Sequence, residues 1–381
     1  MYVRTETYEI TGTGALHVSQ ARGRVRVVGT GETKITVKAS ARSDWDLQER
    51  LAIRQDGDAV YVTVGHQRAL FGVLPLPAPA IDLDLEVPFA TACFVEAGSG
   101  NVEITRTRAA AEIETGSGDV RLEEAGGDVD VEVGSGNVTA RGVTGRLKAE
   151  TGSGDVTVAD IAGEAELETG SGNVKAAGIR GQRLAVETGG GNIVVDQVGV
   201  VDLELETGSG NVTVELETVH PGGSYELTTS SGNVTVTVPP DAGVEFNVET
   251  HSGRVKFEGL PLQVRSQDRG ELEAVLNGGG AMVRIEAGSG SVRLEPGRPA
   301  GGAMRPPAGV PARPVIPARP PVPARPPVQP ETPLMQTIRA DAALAGSEHV
   351  KRVLDMVQAG KLTPDQAEEI LKALDEEEAK A

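Results

Sequence analysis

Glycine-rich tetrapeptides recur along the chain, and their residue types could bind a ligand. Glycine loops cradle phosphate groups, and loops that combine glycine with Asp or Asn bind Ca²⁺, but glycine also lets a chain turn a corner. The tetrapeptides therefore have three possible roles: phosphate binding, Ca²⁺ binding or a structural corner. The copies of Gly-Ser-Gly followed by Asn or Asp begin at Gly98, Gly116, Gly134, Gly152, Gly170 and Gly208.

The residues around these turns argue against a phosphate-binding loop and against a calcium-binding loop. A phosphate loop needs Gly-x-x-x-x-Gly-Lys-Ser/Thr before a helix, and the chain lacks that pattern. Calcium-binding β-rolls repeat their motif about every nine residues. Here the first five turns lie 18 residues apart, and most copies carry neutral Asn, a weaker ligand for a hard cation. A structural corner is the favoured interpretation, and a calcium site is the alternative.

Apolar and polar side chains alternate between the turns. One run follows a turn, as in Asn101–Thr105, and another precedes the next turn, as in Ala111–Thr115. Period-two alternation is typical of strands with one buried face. Two such strands and two corners fill one repeat. We therefore predict an all-β fold, a two-sheet parallel β-solenoid with rungs of about 18 residues. An antiparallel meander of hairpins is the alternative.

Stacked rungs would bury one row of apolar residues in each sheet. The row predicted after the turns comprises Val102, Val120, Val138, Val156, Val174, Ile193, Val212 and Val234. The row predicted before the turns comprises Ile113, Val131, Leu147, Leu167, Val186, Leu205 and Leu227.

The same alternation directs a row of carboxylates outward, one in each rung. Neighbouring rungs would lie about 4.8 Å apart. One interpretation is a solvated face that prevents aggregation. The other is an acidic docking surface for a basic partner or divalent ions. The residues of this face are Glu114, Glu132, Glu150, Glu168, Glu187 and Glu206.

The composition divides the chain into four segments. Residues 1–95 predict an N-terminal β cap with the first irregular rungs and Trp45 in its core, and residues 96–296 predict the solenoid repeats. Residues 297–332 predict a disordered Pro/Arg-rich linker, in which Pro-Ala-Arg-Pro occurs three times. Because this linker is basic, we hypothesise that its arginines lie along the glutamate face.

Residues 333–381 predict an α-helical hairpin that acts as an interaction module. Gly360 would end the first helix, and Thr363 and Pro364 would begin the second. A hairpin of this size is too small for a stable core alone. We therefore expect it to dock on a protein partner or pair with a second copy. The apolar residues predicted for this contact are Val353, Leu354, Val357, Ile370, Leu371 and Leu374.

Charge and residue types argue against several other functions. The net charge of −19 disfavours nucleic acid as a partner. No apolar run approaches the length of a membrane span, and no signal peptide is evident, so a cytoplasmic location is expected. The single cysteine, Cys93, forms no internal disulfide. The five histidines are scattered, and no catalytic, cofactor-binding or metal-binding residues are predicted.

Two stretches resemble known bacterial families. The first resembles the β-strand-repeat "putative adhesin" family of unknown function, and the resemblance covers roughly residues 10–295. It includes Leu85–Pro88, before the first turn, and Val238–Val244, before the turn at Ser252-Gly253. His349–Leu374 resembles a short two-helix module of envelope-stress proteins. The name of the first family implies adhesion. The second resemblance implies an interaction or oligomerisation unit at the C-terminus. Neither implies catalytic residues.

These observations predict a non-enzymatic scaffold or interaction protein, linked to envelope stress, whose hairpin mediates partner docking or self-association. One alternative is an adhesin that binds a surface or a glycan. The other is a carbohydrate-active β-helix enzyme, because parallel β-helices also include enzymes of that class.

Overall fold

The structure is a computed structural model, and it describes residues 1–65 and 80–299. The chain divides into two units, Met1–Arg305 and Pro306–Ala381. All described residues belong to the first unit. The predicted hairpin, its six contact residues and nearly all of the predicted linker lie outside the described residues.

Strands account for most of the described chain because alternating side chains let each strand bury one face and expose the other. The one helix among the described residues, α1, spans Asp44–Glu49. The first strands are β1 Tyr2–Glu9, β2 Ala15–Arg22, β3 Val25–Thr30, β4 Lys34–Ala41, β5 Leu51–Asp56, β6 Ala59–Val64, β7 Asp82–Pro88, β8 Ala92–Ser99 and β9 Val102–Thr105.

The repeat region continues with one strand on either side of each glycine corner, except that β17 and β18 each extend from one corner to the next. These strands are β10 Ala111–Ser117, β11 Val120–Glu123, β12 Val129–Ser135, β13 Val138–Arg141, β14 Leu147–Ser153, β15 Val156–Ile161, β16 Ala165–Thr169, β17 Val174–Thr188, β18 Ile193–Ser209 and β19 Val212–Leu216. The last strands are β20 Ser224–Ser231, β21 Val234–Val238, β22 Val244–Thr250, β23 Val255–Phe257, β24 Gln263–Gln267, β25 Glu271–Leu276, β26 Ala281–Ser289 and β27 Val292–Pro296.

Each rung of the repeat region contributes one strand to each of two parallel sheets. Strands that follow a glycine corner form sheet A, and strands that precede one form sheet B. β17 and β18 run from sheet A into sheet B. Parallel partners lie 18 residues apart, as in Ile113 and Val131, 19 apart, as in Val186 and Leu205, or 22 apart, as in Leu205 and Leu227. The fold is therefore all-β and β-solenoid-like, and parallel pairing in this region rules out the antiparallel meander.

The predicted row of sheet A is confirmed, and one member of the row in sheet B is wrong. Val102 through Val234 are successive partners and are at most 1% exposed. In sheet B, Val131 pairs with Ala149, and Leu147 belongs to the adjacent row beside Val129. The residues that do form this row each lie three positions before the first residue of the glycine corner that follows, as Ile113 does before Gly116. Leu147 has the right inward direction but lies five residues before Gly152.

The rungs are stacked out of sequence order at both ends. The rung of β2 and β3 lies between that of β6 and β7 and that of β8 and β9. The rung of β26 and β27 lies between that of β20 and β21 and that of β22 and β23. Three later corners, which begin at Ser230, His251 and Gly288, follow β20, β22 and β26. In space the corner at Gly288 follows the corner at Ser230, and the corner at His251 lies one rung further out.

The prediction that Trp45 lies in the core of the cap is wrong. Trp45 is 48% exposed, whereas Leu47 is 1% exposed. Residues two apart in a helix point in nearly opposite directions, so α1 buries only one of the two. The Trp45 ring instead packs against Arg50, whose guanidinium carbon lies 5.2 Å from the ring centroid.

The glycine corners are required by the close approach of successive rungs. Gly100, Gly118 and Gly136 have φ angles of 149°, 143° and 155°, which favour glycine. At the later corners glycine is required because a side chain would collide with the backbone of the preceding rung. A Cβ atom on Gly191 would lie 1.8 Å from the carbonyl oxygen of Gly172 in the preceding rung.

Polar side chains at the corners bond each rung to the next. Asn211 Oδ1 accepts a hydrogen bond from the backbone N–H of Asn233 at 3.0 Å, and its Nδ2 donates to Asn192 Oδ1 at 3.1 Å. Side-chain-to-backbone bonds of this kind continue without a gap from Asn101 to Ser291. Inside the corner, buried Thr207 donates to the Gly191 carbonyl at 2.9 Å. These contacts account for the repeated residue types through structure alone.

Candidate docking surface

The six predicted glutamates form one continuous row on the outer face of sheet B. Each is the register partner of the next, from Glu114 to Glu132 and onward to Glu206. Parallel pairing places them one strand spacing apart, about 4.8 Å. All are exposed except Glu150, which is half-buried. We call this set and its continuation in the same register the glutamate row.

The glutamate row is longer than the sequence predicted. Glu96 precedes Glu114 in register. Beyond Glu206 the row passes through Thr228 and continues to Glu286 and Glu249. The last two were missed because the out-of-order stacking of β26 reverses their positions. Glu96 could have been found by counting two residues back from Gly98.

A second outward row runs parallel to the first and is mixed in charge. Its members from Glu112 onward are Glu112, Asp130, Lys148, Glu166, Ala185, Glu204, Glu226, Arg284 and Asn247. The two rows meet at an ion pair, Lys148 Nζ to Glu150 Oε1, of 2.5 Å. The hydrogen bond to Glu150 raises the pKa of Lys148.

Most of the glutamate row carries uncompensated charge. Arg146 pairs with Glu166 at 2.8 Å and Arg183 pairs with Glu204, but both of those carboxylates belong to the second row. Apart from Glu150, no member of the glutamate row forms an ion pair with a lysine or arginine of residues 1–65 and 80–299. Like charges on adjacent strands repel. The face therefore presents a linear array of free acceptors to a cationic ligand.

An aromatic stack that alternation alone does not predict lies at the N-terminal end of the second row. The His17 ring lies 4.7 Å from the Tyr61 ring and 4.6 Å from the Phe94 ring, with interplanar angles of 8° and 7°. Arg54 covers the far side of Tyr61, with its guanidinium carbon 4.3 Å from the ring centroid. Because β2, β6 and β8 are distant in sequence, only their register brings these rings together.

The rings and the first carboxylates line a shallow open groove. Its wall includes His17, Phe94, Glu96, Glu112 and Glu114. In the described part of the chain, no three His, Cys, Asp or Glu side chains converge to hold a metal ion. The groove combines flat ring surfaces with carboxylates, which suits a planar cation such as guanidinium.

Two buried groups with raised pKa values lie away from this face. Burial raises the pKa of the Cys93 thiol to about 12, so the thiol stays neutral near pH 7. Burial also raises the pKa of Tyr225. The Tyr225 hydroxyl donates to the Val200 carbonyl and accepts from the His220 N–H, both at 3.0 Å. Both residues stabilise the core and do not contribute to a site.

The comparison with protein families decides the classification of the repeat region. A family model described as Toastrack DUF4097 matches residues 90–159 and 127–295, which together cover more than half of the chain. The chain belongs to the Toastrack DUF4097 family. The Toastrack match contains Glu96 to Glu286, so the whole glutamate row lies within the family region. A second model, described as a SHOCT-like domain, matches residues 348–379. A SHOCT-like domain is therefore present at the C-terminus, beyond the Toastrack region.

Several solved structures are similar to this Toastrack chain at low identity. A "putative adhesin" from Parabacteroides distasonis is 11% identical, covers 77% of this chain and 97% of its own, and has a TM-score of 0.36. A "putative lipid binding protein" from the same species is 14% identical, covers 77% and 96%, and has a TM-score of 0.34. A "putative adhesin" from Bacteroides fragilis is 10% identical, covers 77% and 97%, and has a TM-score of 0.28. No curated protein sequence matches the chain.

Among the described residues, no helix is long and apolar enough to cross a membrane.

Proposed function

We propose that this protein is a non-enzymatic scaffold whose glutamate row binds a protein partner. The single observation that carries the proposal is the unbroken register from Glu96 to Glu206, with only Glu150 compensated by a neighbouring cation. A regular array of free carboxylates on a stacked sheet is suited to recognition by charge and spacing. Catalysis would need carboxylates in contrasting environments, and those of the row resemble one another.

A solvated face that only prevents aggregation would have the same composition, so the two interpretations require a direct test. In the first variant, Glu114, Glu168 and Glu187 are changed to Gln. The control changes three outward carboxylates of sheet A to Gln and alters the net charge equally. The control residues are Glu86, Glu103 and Glu215.

The measurement compares the proteins that cross-link to each full-length variant in the native cell. We expect partners that are retained by the wild type and by the sheet A control to be lost from the sheet B variant. Equal retention by all three chains would contradict a docking role for the glutamate row.

The SHOCT-like domain is the second element of the proposal. We propose that it docks on a protein partner or joins two copies through Val353, Leu354, Val357, Ile370, Leu371 and Leu374. Light scattering of the full chain and of a chain ending at Pro330 tests self-association, which predicts fewer chains per particle after truncation. The link to envelope stress, the exclusion of nucleic acid and the cytoplasmic location stay predictions.

A further inference from the structure

The aromatic stack has one ring face that no described ring or guanidinium covers. Arg54 covers Tyr61, Tyr61 stacks on His17, and His17 stacks on Phe94. The opposite face of Phe94 is directed toward the next rung, where its register partner is Glu112. One end of the stack therefore already holds an arginine, and at the other end a carboxylate, Glu112, lies in the corresponding register position.

Carboxylates surround the open end of the stack. Glu112 and Glu114 lie on the adjacent strand, and Glu96 lies two residues from Phe94 on the same strand. None of the three has an ion pair with a lysine or arginine in the described ranges, although Ser19 donates a hydrogen bond to Glu96 at 3.3 Å. A guanidinium stacked on Phe94 would gain ring contact and bidentate carboxylate bonds together.

Two more glutamates of the row lie at equal intervals beyond this end, although their neighbours in the second row, Ala185 and Asn247, are not aromatic. Four rungs beyond Glu114 lies Glu187, and four rungs further lies Glu249. At these three rungs neither outward row contains a lysine or arginine. Glu271 pairs with Glu249 across β22 and β25, which adds a second carboxylate at the last position. Lys148 and Arg284 occupy two of the other rungs, and Glu166 and Glu204 in two more already pair with arginines. The rung of Glu132 is also free of cations, so the interval from Phe94, and not charge alone, selects Glu187 and Glu249.

The protein's own sequence contains arginines at the matching interval. Arg313, Arg319 and Arg325 recur every six residues within Pro-Ala-Arg-Pro repeats. In a polyproline helix, with three residues per turn and about 3.1 Å per residue, residues six apart share one face and lie about 18.6 Å apart. Four rungs of the solenoid measure about 19.2 Å. The mismatch over twelve residues is about 1 Å, well within the reach of an arginine side chain.

We propose that the glutamate row binds residues 311–326 of a second copy of this chain, with one arginine stacked on Phe94 beside Glu114 and the others at Glu187 and Glu249. This inference rests on the proposed docking function and specifies its partner. The charges are complementary, because residues 297–330 contain five arginines and no carboxylate. The SHOCT-like domain, proposed above to join two copies, would keep such a segment close.

The first experiment measures binding of a labelled synthetic peptide with the sequence of residues 309–327. The receptor is the full chain with R313Q, R319Q and R325Q, so that its own arginines do not compete. The control peptide has the same composition with arginines every five residues, which places them on different faces of a polyproline helix. We expect the native peptide to bind at least fivefold more tightly, with affinity that falls as salt rises.

Row variants of the same receptor test the register. E114Q/E187Q/E249Q removes the three proposed contacts, and E132Q/E168Q/E206Q removes the same charge from intervening rungs. An exposed ion pair is worth up to about fivefold in an equilibrium constant, so we expect at least a tenfold loss for the first variant and less than threefold for the second. F94L should weaken binding about two- to fivefold.

The outcomes separate the two proposals. If both peptides bind equally and both row variants lose equal affinity, the spacing is irrelevant and this inference is overturned, while the docking function stands. If no peptide binds but the binding of native partners still depends on Glu114, Glu168 and Glu187, residues 311–326 are not the ligand of the glutamate row, and only the docking function stands. If neither peptide nor partner depends on the row, both proposals fail.

A final measurement decides whether the occupant comes from a second copy. Full chains with R319K are prepared in ¹⁴N and ¹⁵N forms, mixed and treated with a carbodiimide, which joins lysine to a nearby carboxylate. We expect a cross-link from position 319 to Glu187 that contains both isotopes. Cross-links confined to a single isotope would refute binding between copies.

Discussion

Two adjacent glycines in one corner provide a sharp test of why the corners contain glycine. A Cβ atom on Gly190 would have only Ser209 Oγ nearby, at 3.7 Å, whereas a Cβ atom on Gly191 would lie 1.8 Å from the Gly172 carbonyl oxygen. Neither glycine has the left-handed φ that would itself disfavour alanine. The two variants Gly190→Ala and Gly191→Ala therefore differ only in that the new methyl group at 191 collides with the preceding rung.

The expected cost of Gly191→Ala follows from the bonds around the Gly172 carbonyl. A Cβ–oxygen distance of at least 3.0 Å requires the two rungs to separate by more than 1 Å at this corner. The hydrogen bonds affected are Thr188 Oγ1 to Gly172 O at 3.0 Å, Asn192 N to Asn173 Oδ1 at 3.1 Å, and Val174 N to Asn192 O at 2.9 Å. At about 1 kcal/mol each, their loss destabilises the fold by about 3 kcal/mol.

Gly190→Ala should act in the opposite direction, because alanine restricts the unfolded chain and meets no obstacle in the fold. The expected gain is about 0.5 kcal/mol. Denaturant unfolding of both full-length variants, followed by far-ultraviolet circular dichroism, measures the difference. Circular dichroism is preferable to fluorescence because the single tryptophan, Trp45, lies in α1, away from these corners. Free energies of unfolding for the two variants within 1 kcal/mol of each other would refute the argument from rung contact.

Three further predictions follow from the corners and the core. Tyr225→Phe removes the hydroxyl that bonds the Val200 carbonyl, so we expect a loss of about 1–2 kcal/mol in unfolding free energy; an unchanged denaturation midpoint would contradict this. Asn211→Ala leaves the Asn233 N–H without its acceptor and should cost about 1 kcal/mol, while Asn211→Asp, which keeps the acceptor, should cost less in the same assay. Cys93, with its pKa raised to about 12 from 9.0, should react with thiol reagents at pH 8 only on unfolding. Its contribution to stability is complete below pH 9 and falls as pH rises toward 12, because the unfolded thiol ionises first; Cys93→Ala should lack this part of the pH dependence.

The repeat region could be predicted from sequence because its register is local. Each strand begins or ends at a glycine corner, so counting from Gly116 or Gly170 identifies the inward and outward residues. The prediction was wrong at Leu147 because Leu147 and Ala149 both point inward, and distance from the corner, which sets the row, selects Ala149.

The ends of the solenoid could not be predicted in the same way. The position of β26 between β20 and β22 depends on pairing between strands separated by other strands in sequence. The aromatic stack has the same origin, because β2 pairs with both β6 and β8. Alternation shows that His17 and Phe94 point outward, but it does not show which strands are neighbours. The glutamate row was therefore predicted in its middle and missed at its ends.

The out-of-order rung near the C-terminus also has a mechanical consequence. β26 and β27 have hydrogen-bonded neighbours on both edges, although they are the last strands of the described sequence. Tension applied to the chain after Pro296 therefore acts on an internal rung, and hydrogen bonds on two sides must break before that rung is extracted. A rung at the end of the stack would instead peel away along one edge at lower force. Any load transmitted through the C-terminal segment is thus resisted by two interfaces at once, which makes this end of the solenoid a firm mechanical anchor.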